Sequence, residues 1–464
     1  MAIGKAVLFL LVFSLPTWSS VYVHWSTSDV PPASSLGVND IVFSLDGHIS
    51  PLVTAARKRG YRVYVEVPLQ QAKSAAEQGT KAGWTGIIVD TPENESREFD
   101  GLVAKLRSDY PKLRVLFLNR NGKQPGMRGS IVIKRGDVLE VSSPTAQPWI
   151  DTNLALVKVE QRSRQPQVPL FTSTWADQAQ QKGATVDDYS LAVAEADAFH
   201  ADLLLQVDEH LQQGLTKHDA NAWALWSEVR PLLKFSPDAA DAALQPAANV
   251  AVIVDNFDAS DEVLNLLGRH NIPYQIFLPA DLKTAELKGF NVAVVLAKPD
   301  GETAERLNRL AASGATVVVV DAHGSYPWQS SQSTRVNEHT TSYASGNGKV
   351  LEFSEPVTDP ETFAQDVRRL VGKQNALLRL WNGLTTLAVP YQDRSGTMKL
   401  LEFVNYAGDP VRLQVQVKGS FASVRYETPE HGCCQSLEPV SHDGFTEFVV
   451  PDVRVTGRVH LEAK

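Results

Sequence analysis

A (β/α)8 TIM barrel, followed by an open α/β domain and a small antiparallel β-sandwich, is the fold class this sequence predicts. Three rhythms in the hydrophobic pattern carry that reading. Eight short β-rich runs alternate with helical stretches from Val21 to about Ser236, continuous Val/Ile runs follow from Asn249, and strands of period two fill the chain from Leu378 onward. The 464 residues correspond to about three domains. An apolar fraction of 43% against 21% charged residues suits packed cores and sets disorder aside. The expected domains are 21–236, 249–376 and 378–464, with the Ala/Asp/Pro-rich SPDAADAALQPAAN (236–249) as a linker.

Ahead of the barrel, residues 1–20 read as a secretory signal. Lys5 gives a basic start, Ala6 to Leu15 are largely apolar, and the small residues Thr17 and Ser19 flank the expected cleavage point. Ten apolar residues span only about 15 Å as a helix, half the hydrocarbon thickness, which argues against a membrane anchor. The expected location is secreted or periplasmic, with no membrane span after signal cleavage. A formal charge of −9 disfavours nucleic acid as a partner, because neutralising phosphates needs a positive field. Cys433 and Cys434 are adjacent, so a bridge between them constrains almost no chain, and the fold must stand on its core. No catalytic role is expected for them.

The barrel strands are VYVHW, DIVFSLDG, RVYVEVP, GIIVDTP, RVLFLNR, DVLEVSSP, VPLFTSTW and ADLLLQVDE in chain order. Amphipathic pieces between them, such as Pro51 to Arg59, Ser96 to Asp109 and Val186 to Phe199, are long enough for crossover helices. IVIK competes with DVLEV for the sixth position. In the second domain, NVAVIVDN and ATVVVVD suit strands buried on both faces of a parallel sheet. The polar, Ser/Thr-rich stretch from Trp328 to Lys349 is expected to be a surface loop. In the third, TMKLLEFVNY, VRLQVQV and FTEFVVP alternate as sandwich strands do.

In such a barrel the active site lies where the strands finish, so ionisable residues at strand ends face substrate. Asp46 ends the second run, Glu66 the third, Asp90 the fourth, Glu140 the sixth, and Asp208 with Glu209 the eighth. An Asp/Glu pair facing a pocket is what glycoside hydrolysis requires: one carboxyl protonates the leaving oxygen while the other attacks or stabilises the anomeric carbon. Asp90 and Glu140 are the expected catalytic pair. Strands two places apart lie roughly 10 Å from each other, within reach of inward-leaning side chains. Glu66 and Asp208 are expected to bind hydroxyls or tune pKa, and Asp46 to bind substrate. Trp25 and Trp175 are expected as walls that stack on a sugar face, with His24 as a hydrogen-bond donor to substrate.

From Val21 to about Leu211 the chain resembles the barrel of the endo-α-polygalactosaminidase-like families of extracellular glycosidases. A GxxxD segment closes strand four in those families, here Gly86 with Asp90, and a Glu closes strand six, here Glu140. Where they often carry a second Asp, this chain has Pro92 and Glu93. From Asn249 to about Leu461 the layout resembles the multidomain β-galactosidases, in which a barrel precedes an amidotransferase-like α/β domain and a small β-sandwich. Their barrels place catalytic Glu residues after strands four and seven, whereas strand seven here ends FTSTW. Amidotransferase chemistry needs a Cys on a nucleophile elbow, and both cysteines lie elsewhere. The α/β domain is therefore expected to be architectural, a contact for a homo-oligomer.

HExxH, P-loop, GxGxxG and GxSxG patterns are absent, so no cofactor and no metal are expected. The expected function is that of a secreted glycoside hydrolase-like protein cleaving a poly- or oligosaccharide, with carbohydrate as its partner. The alternative is a non-catalytic carbohydrate-binding or exported structural protein on a degenerate glycosidase barrel, favoured by the departures at Glu93 and strand seven.

Overall fold

The computed structural model describes residues 20–45, 49–90, 97–118, 127–128, 134–135, 138–139, 152–163, 170–174, 183–285 and 287–464. Seven parallel strands build one curled sheet: β1 (Val21–His24), β2 (Asp40–Ser44), β3 (Arg62–Pro68), β4 (Gly86–Asp90), β5 (Arg114–Leu118), β6 (Phe171–Thr174) and β7 (Leu203–Gln206). Their spatial order is β5-β4-β3-β2-β1-β7-β6. The two edges meet where Leu118 bridges Leu170 in parallel, and Leu170 N donates to Phe117 O at 2.9 Å.

Among the described residues seven strands of the expected eight are seen at full length. Of the expected sixth strand, Val138–Leu139 pair antiparallel with Lys134–Arg135 in a separate ribbon. Among the described residues the two-residue strand Met127–Arg128 adds to β6. At the Leu118–Leu170 bridge β5 and β6 contact each other directly.

Crossover helices include α1 (Ile49–Lys58), α2 (Ala72–Ala82), α3 (Arg97–Asp109), α4 (Leu154–Ser163), α5 (Val186–Ala198), α6 (Glu209–Thr216) and α7 (Ala220–Lys234). Thr185 starts α5 with a reciprocal capping box, its side chain accepting from Asp188 N while the Asp188 carboxylate accepts from Thr185 N.

The second sheet holds β8 (Val250–Ile253), β9 (Tyr274–Phe277), β10 (Val292–Val295), β11 (Thr316–Val319), β12 (Thr340–Ser345) and β13 (Gly348–Phe353). Its order is β9-β8-β10-β11-β13-β12, with Ser333–Arg335 on the far edge. The first five of these are parallel and doubly wound, as their continuous apolar runs require. The expectation of a loop from Trp328 to Lys349 is corrected here. Ser333–Arg335, β12 and β13 form an antiparallel edge, where Ser and Thr fit a half-solvated strand. Helices α8 (Asp261–Arg269), α9 (Gly301–Ala312) and α10 (Pro360–Val371) accompany the sheet.

Toward the C-terminus, six-stranded and four-stranded antiparallel sheets enclose a core that includes Leu401, Phe403, Val415 and Val450. Cys433 and Cys434 form a disulfide on the strand Gly432–Leu437. Buried polar groups join these sheets to the barrel helices. Arg458, 3% exposed, pairs with Glu402 at 2.8 Å and with Asp197 of α5, and Glu195 of α5 accepts from Tyr406 OH at 2.5 Å. Among the described residues no helix is long and apolar enough to cross a membrane.

Candidate active site

Side chains alternate along a strand, so the register decides which residues reach the barrel interior. The even-numbered residues Tyr22, Val42, Tyr64, Ile88, Leu118, Leu170 and Leu204 pack together inside. Their odd-numbered neighbours, among them Val23, Ile41, Val63 and Ile87, belong to the core shared with the helices. Tyr22 and Tyr64 meet edge to face at 5.0 Å. Gly86 makes room for that ring, since a Cβ there would lie 2.8 Å from Tyr64 Cδ1. This apolar layer fills the barrel and leaves a polar cluster on either side of it.

On the N-terminal side, Arg62 pairs with Asp40, and Arg114 Nη1 donates to Tyr64 OH at 3.2 Å. Asp202 accepts from Ser20 N at 2.8 Å, and burial pushes its carboxyl up to about 6. These groups close the floor of the barrel.

On the C-terminal side, the same parity turns His24, Ser44, Glu66, Asp90, Thr172 and Gln206 inward at the open mouth. His24 Nε2 stands 3.1 Å from Ser44 Oγ and 3.8 Å from Glu66 Oε2, so the ring bridges β1 to β2 and β3. Their side chains are 14% exposed for His24 and 10% for Glu66. Glu66 is in register with Ile88, and half-buried Asp90 lies two residues further along β4 on the same face. A strand spacing of about 4.8 Å and a rise of about 3.3 Å per residue put the two Cα atoms about 8 Å apart, so their carboxyls share one face of the mouth. Gln206 Nε2 and Thr172 Oγ1 are buried with no hydrogen-bond partner among the described residues.

Of the residues expected from the sequence, His24, Glu66 and Asp90 come together at this mouth. Trp25 does not, which corrects its expected role as a stacking wall. Odd in the alternation, it turns into the helix-packed core at 1% exposure, and its indole N–H is spent on Asp29 O at 2.8 Å. Asp208 serves as the N-cap of α6: one carboxyl oxygen accepts from Leu211 N at 2.8 Å, the other from Tyr189 OH at 2.7 Å. Glu140, Asp46 and Trp175 lie outside the described residues. Ser44, Thr172 and Gln206 escaped the sequence reading, which followed charges and rings; strand parity counted back from His24 and Glu66 would have found them.

Glu427, Cys433 and Cys434 stand close enough for a metal, but both sulfurs are tied up in the disulfide and are not thiolate ligands.

No protein-family model matches the chain, and no curated protein sequence matches it. Among solved structures it is similar to α-L-fucosidase isoenzyme 2 from Paenibacillus thiaminolyticus, with a TM-score of 0.61 and 12% identity, covering 96% of this chain and 100% of that one. It is also similar to a rhamnosidase from Novosphingobium sp. PP1Y, with a TM-score of 0.50 and 12% identity over 78% of this chain and 38% of that one. The fold of this chain, a curled parallel sheet with appended β sheets, is one found in glycoside hydrolases.

Proposed function

We propose that the protein is a glycoside hydrolase whose reaction takes place at the C-terminal mouth of the curled sheet. The observation that carries this reading is the convergence of His24, Glu66 and Asp90 on one inward face, on a fold shared with a fucosidase over nearly the whole chain. Asp90 supplies one carboxyl of the pair. Glu140 is the partner the sequence suggests, and Glu66, on the strand beside Asp90, is the partner the register favours. His24, braced by Ser44, orients Glu66.

The finer parts of the reading belong with it. Gly86 with Asp90 supports an endo-α-polygalactosaminidase-like barrel, and residues 1–20 support export to a secreted or periplasmic location. The three sheet systems support domains at 21–236, 249–376 and 378–464, with the middle one amidotransferase-like in layout.

Incubation with a panel of oligosaccharides and aryl glycosides that includes α-L-fucosides, read by mass spectrometry, tests the proposal. Release of a sugar by the wild type, abolished by Asp90→Asn and by one of Glu66→Gln and Glu140→Gln, is the expected result and names the pair. Glycan binding without any product would establish the non-catalytic alternative.

A further inference from the structure

A second cleft, of about 890 Å³, opens between the α/β layer and the sandwich, and no barrel residue lines it. Its walls carry five basic side chains, His270, Arg368, Arg369, Lys373 and Arg379, and neither Asp nor Glu. That bias stands out on a chain whose formal charge is −9. Arg369 is neutralised by Asp366, and His270 is held at 2.8 Å by Glu361, which lies behind the wall. Arg368, Lys373 and Arg379 have no ion-pair partner among the described residues.

Arg368, in the last turn of α10, favours the negative end of the helix dipole, which would explain one cation. It does not explain Arg379, which comes from the facing strand Leu378–Trp381 and lines the same cleft. Like charges lining one concavity are stabilised by an anion between them, and a guanidinium matches a carboxylate fork to fork.

One further feature describes the rest of the ligand. Trp381 lines the cleft and is 40% exposed, a flat apolar face available for stacking. A bare inorganic anion leaves that face uncovered.

We propose that this cleft binds an acidic oligosaccharide, its carboxylate or sulfate group held by Arg368 and Arg379 and its ring on Trp381. The choice of a sugar over other ring-bearing anions rests on the glycosidase reading; the anion site itself does not.

Calorimetric titration of the full chain with trigalacturonate, a sulfated trisaccharide, neutral galactotriose and inorganic sulfate tests it. At least one acidic trisaccharide is expected to bind saturably and to weaken as salt is raised, and the tighter of the two tells carboxylate from sulfate recognition. Arg379→Gln and Trp381→Ala should each weaken that binding at least about tenfold with the melting temperature unchanged. Binding of the neutral trisaccharide or of sulfate alone as tightly as the acidic sugar overturns the proposal. So does the absence of binding, or wild-type affinity in both variants. Sugar release by the barrel, read on the same samples, keeps the two readings apart: cleft binding with no turnover on any glycoside counts against the enzyme alone, turnover with no cleft binding against this site alone.

Discussion

Replacing Arg458 with methionine is expected to destabilise the fold by about 3–5 kcal/mol at neutral pH. The guanidinium donates to Glu402 at 2.8 Å and 3.0 Å, pairs with Asp197, reaches Glu427 at 3.6 Å and lies over the Phe235 ring at 4.1 Å. Methionine retains much of the packing but leaves Glu402, fully buried, and Asp197 without their cation. Stranding a buried charge in this way lowers the folded-to-unfolded ratio by roughly two to four powers of ten at about 1.4 kcal/mol per decade.

The pH dependence follows from the same geometry. Burial already holds the Glu402 carboxyl well above the ordinary carboxylate range, with Arg458 opposing. Without the arginine it rises further, so the folded variant takes up protons that the unfolded chain releases, and the deficit shrinks on acidification. Urea unfolding followed by tryptophan fluorescence at pH 7 and pH 5 measures both effects. Adding Glu402→Gln and Asp197→Asn should restore most of the loss. A deficit below about 1 kcal/mol at pH 7, or one that grows on acidification, would refute this reasoning.

Three other predictions concern the same scaffold. His200, stacked on Tyr391 at 4.1 Å, has its imidazole held down at about 4 by burial, with Arg458 adding to the effect. A depressed folded value means that stability present above 6.5 is lost as pH falls toward 4, about 2 kcal/mol by pH 5, so His200→Gln should flatten the melting profile between pH 7 and 5 by that amount. Trp25→Ala should cost about 3–5 kcal/mol in denaturant unfolding and leave KM for any cleaved glycoside unchanged; a raised KM at intact stability would return Trp25 to the substrate. Gly86→Ala should cost about 1–3 kcal/mol, because its methyl group meets Tyr64 and the Arg114 carbonyl, and thermal melting at unchanged stability would show that the ring yields.

The parallel strands were legible because DIVFS and GIIVD are apolar on both faces, and the helices because their apolar residues keep a helical period. The eighth barrel strand was not. An apolar pair such as Val138–Leu139 looks the same whether it enters a barrel or closes a local ribbon, and only its pairing with Lys134–Arg135 distinguishes them. The edge strand Thr340–Ser345 was hidden by its polarity, since Ser and Thr signal loops as readily as half-solvated strands. At the site, the acids ending β3 and β4 were visible as charges at the ends of apolar runs. Trp25 was misplaced by one residue of parity, which turns a side chain from the mouth to the helices. Asp208 carried two meanings, strand-end acid and helix N-cap, and the bonds to Leu211 and Tyr189 favour the second. The Arg458 network joins residues more than 200 positions apart in the chain, a relation that no local pattern encodes.

The steady-state kcat/KM of Asp90→Asn and Glu66→Gln, on a glycoside that the wild type hydrolyses, bears most directly on the mouth of the sheet as the place of reaction. Each variant should retain its melting temperature; Asp90→Asn should lose at least about 100-fold in kcat/KM, the scale on which a positioned acid or base acts, and an equal loss in Glu66→Gln names Glu66 rather than Glu140 as the second carboxyl. Turnover by both folded variants at the wild-type rate would contradict the account, leaving the inward carboxyls of β3 and β4 as part of the barrel's packing and the chemistry to be sought elsewhere.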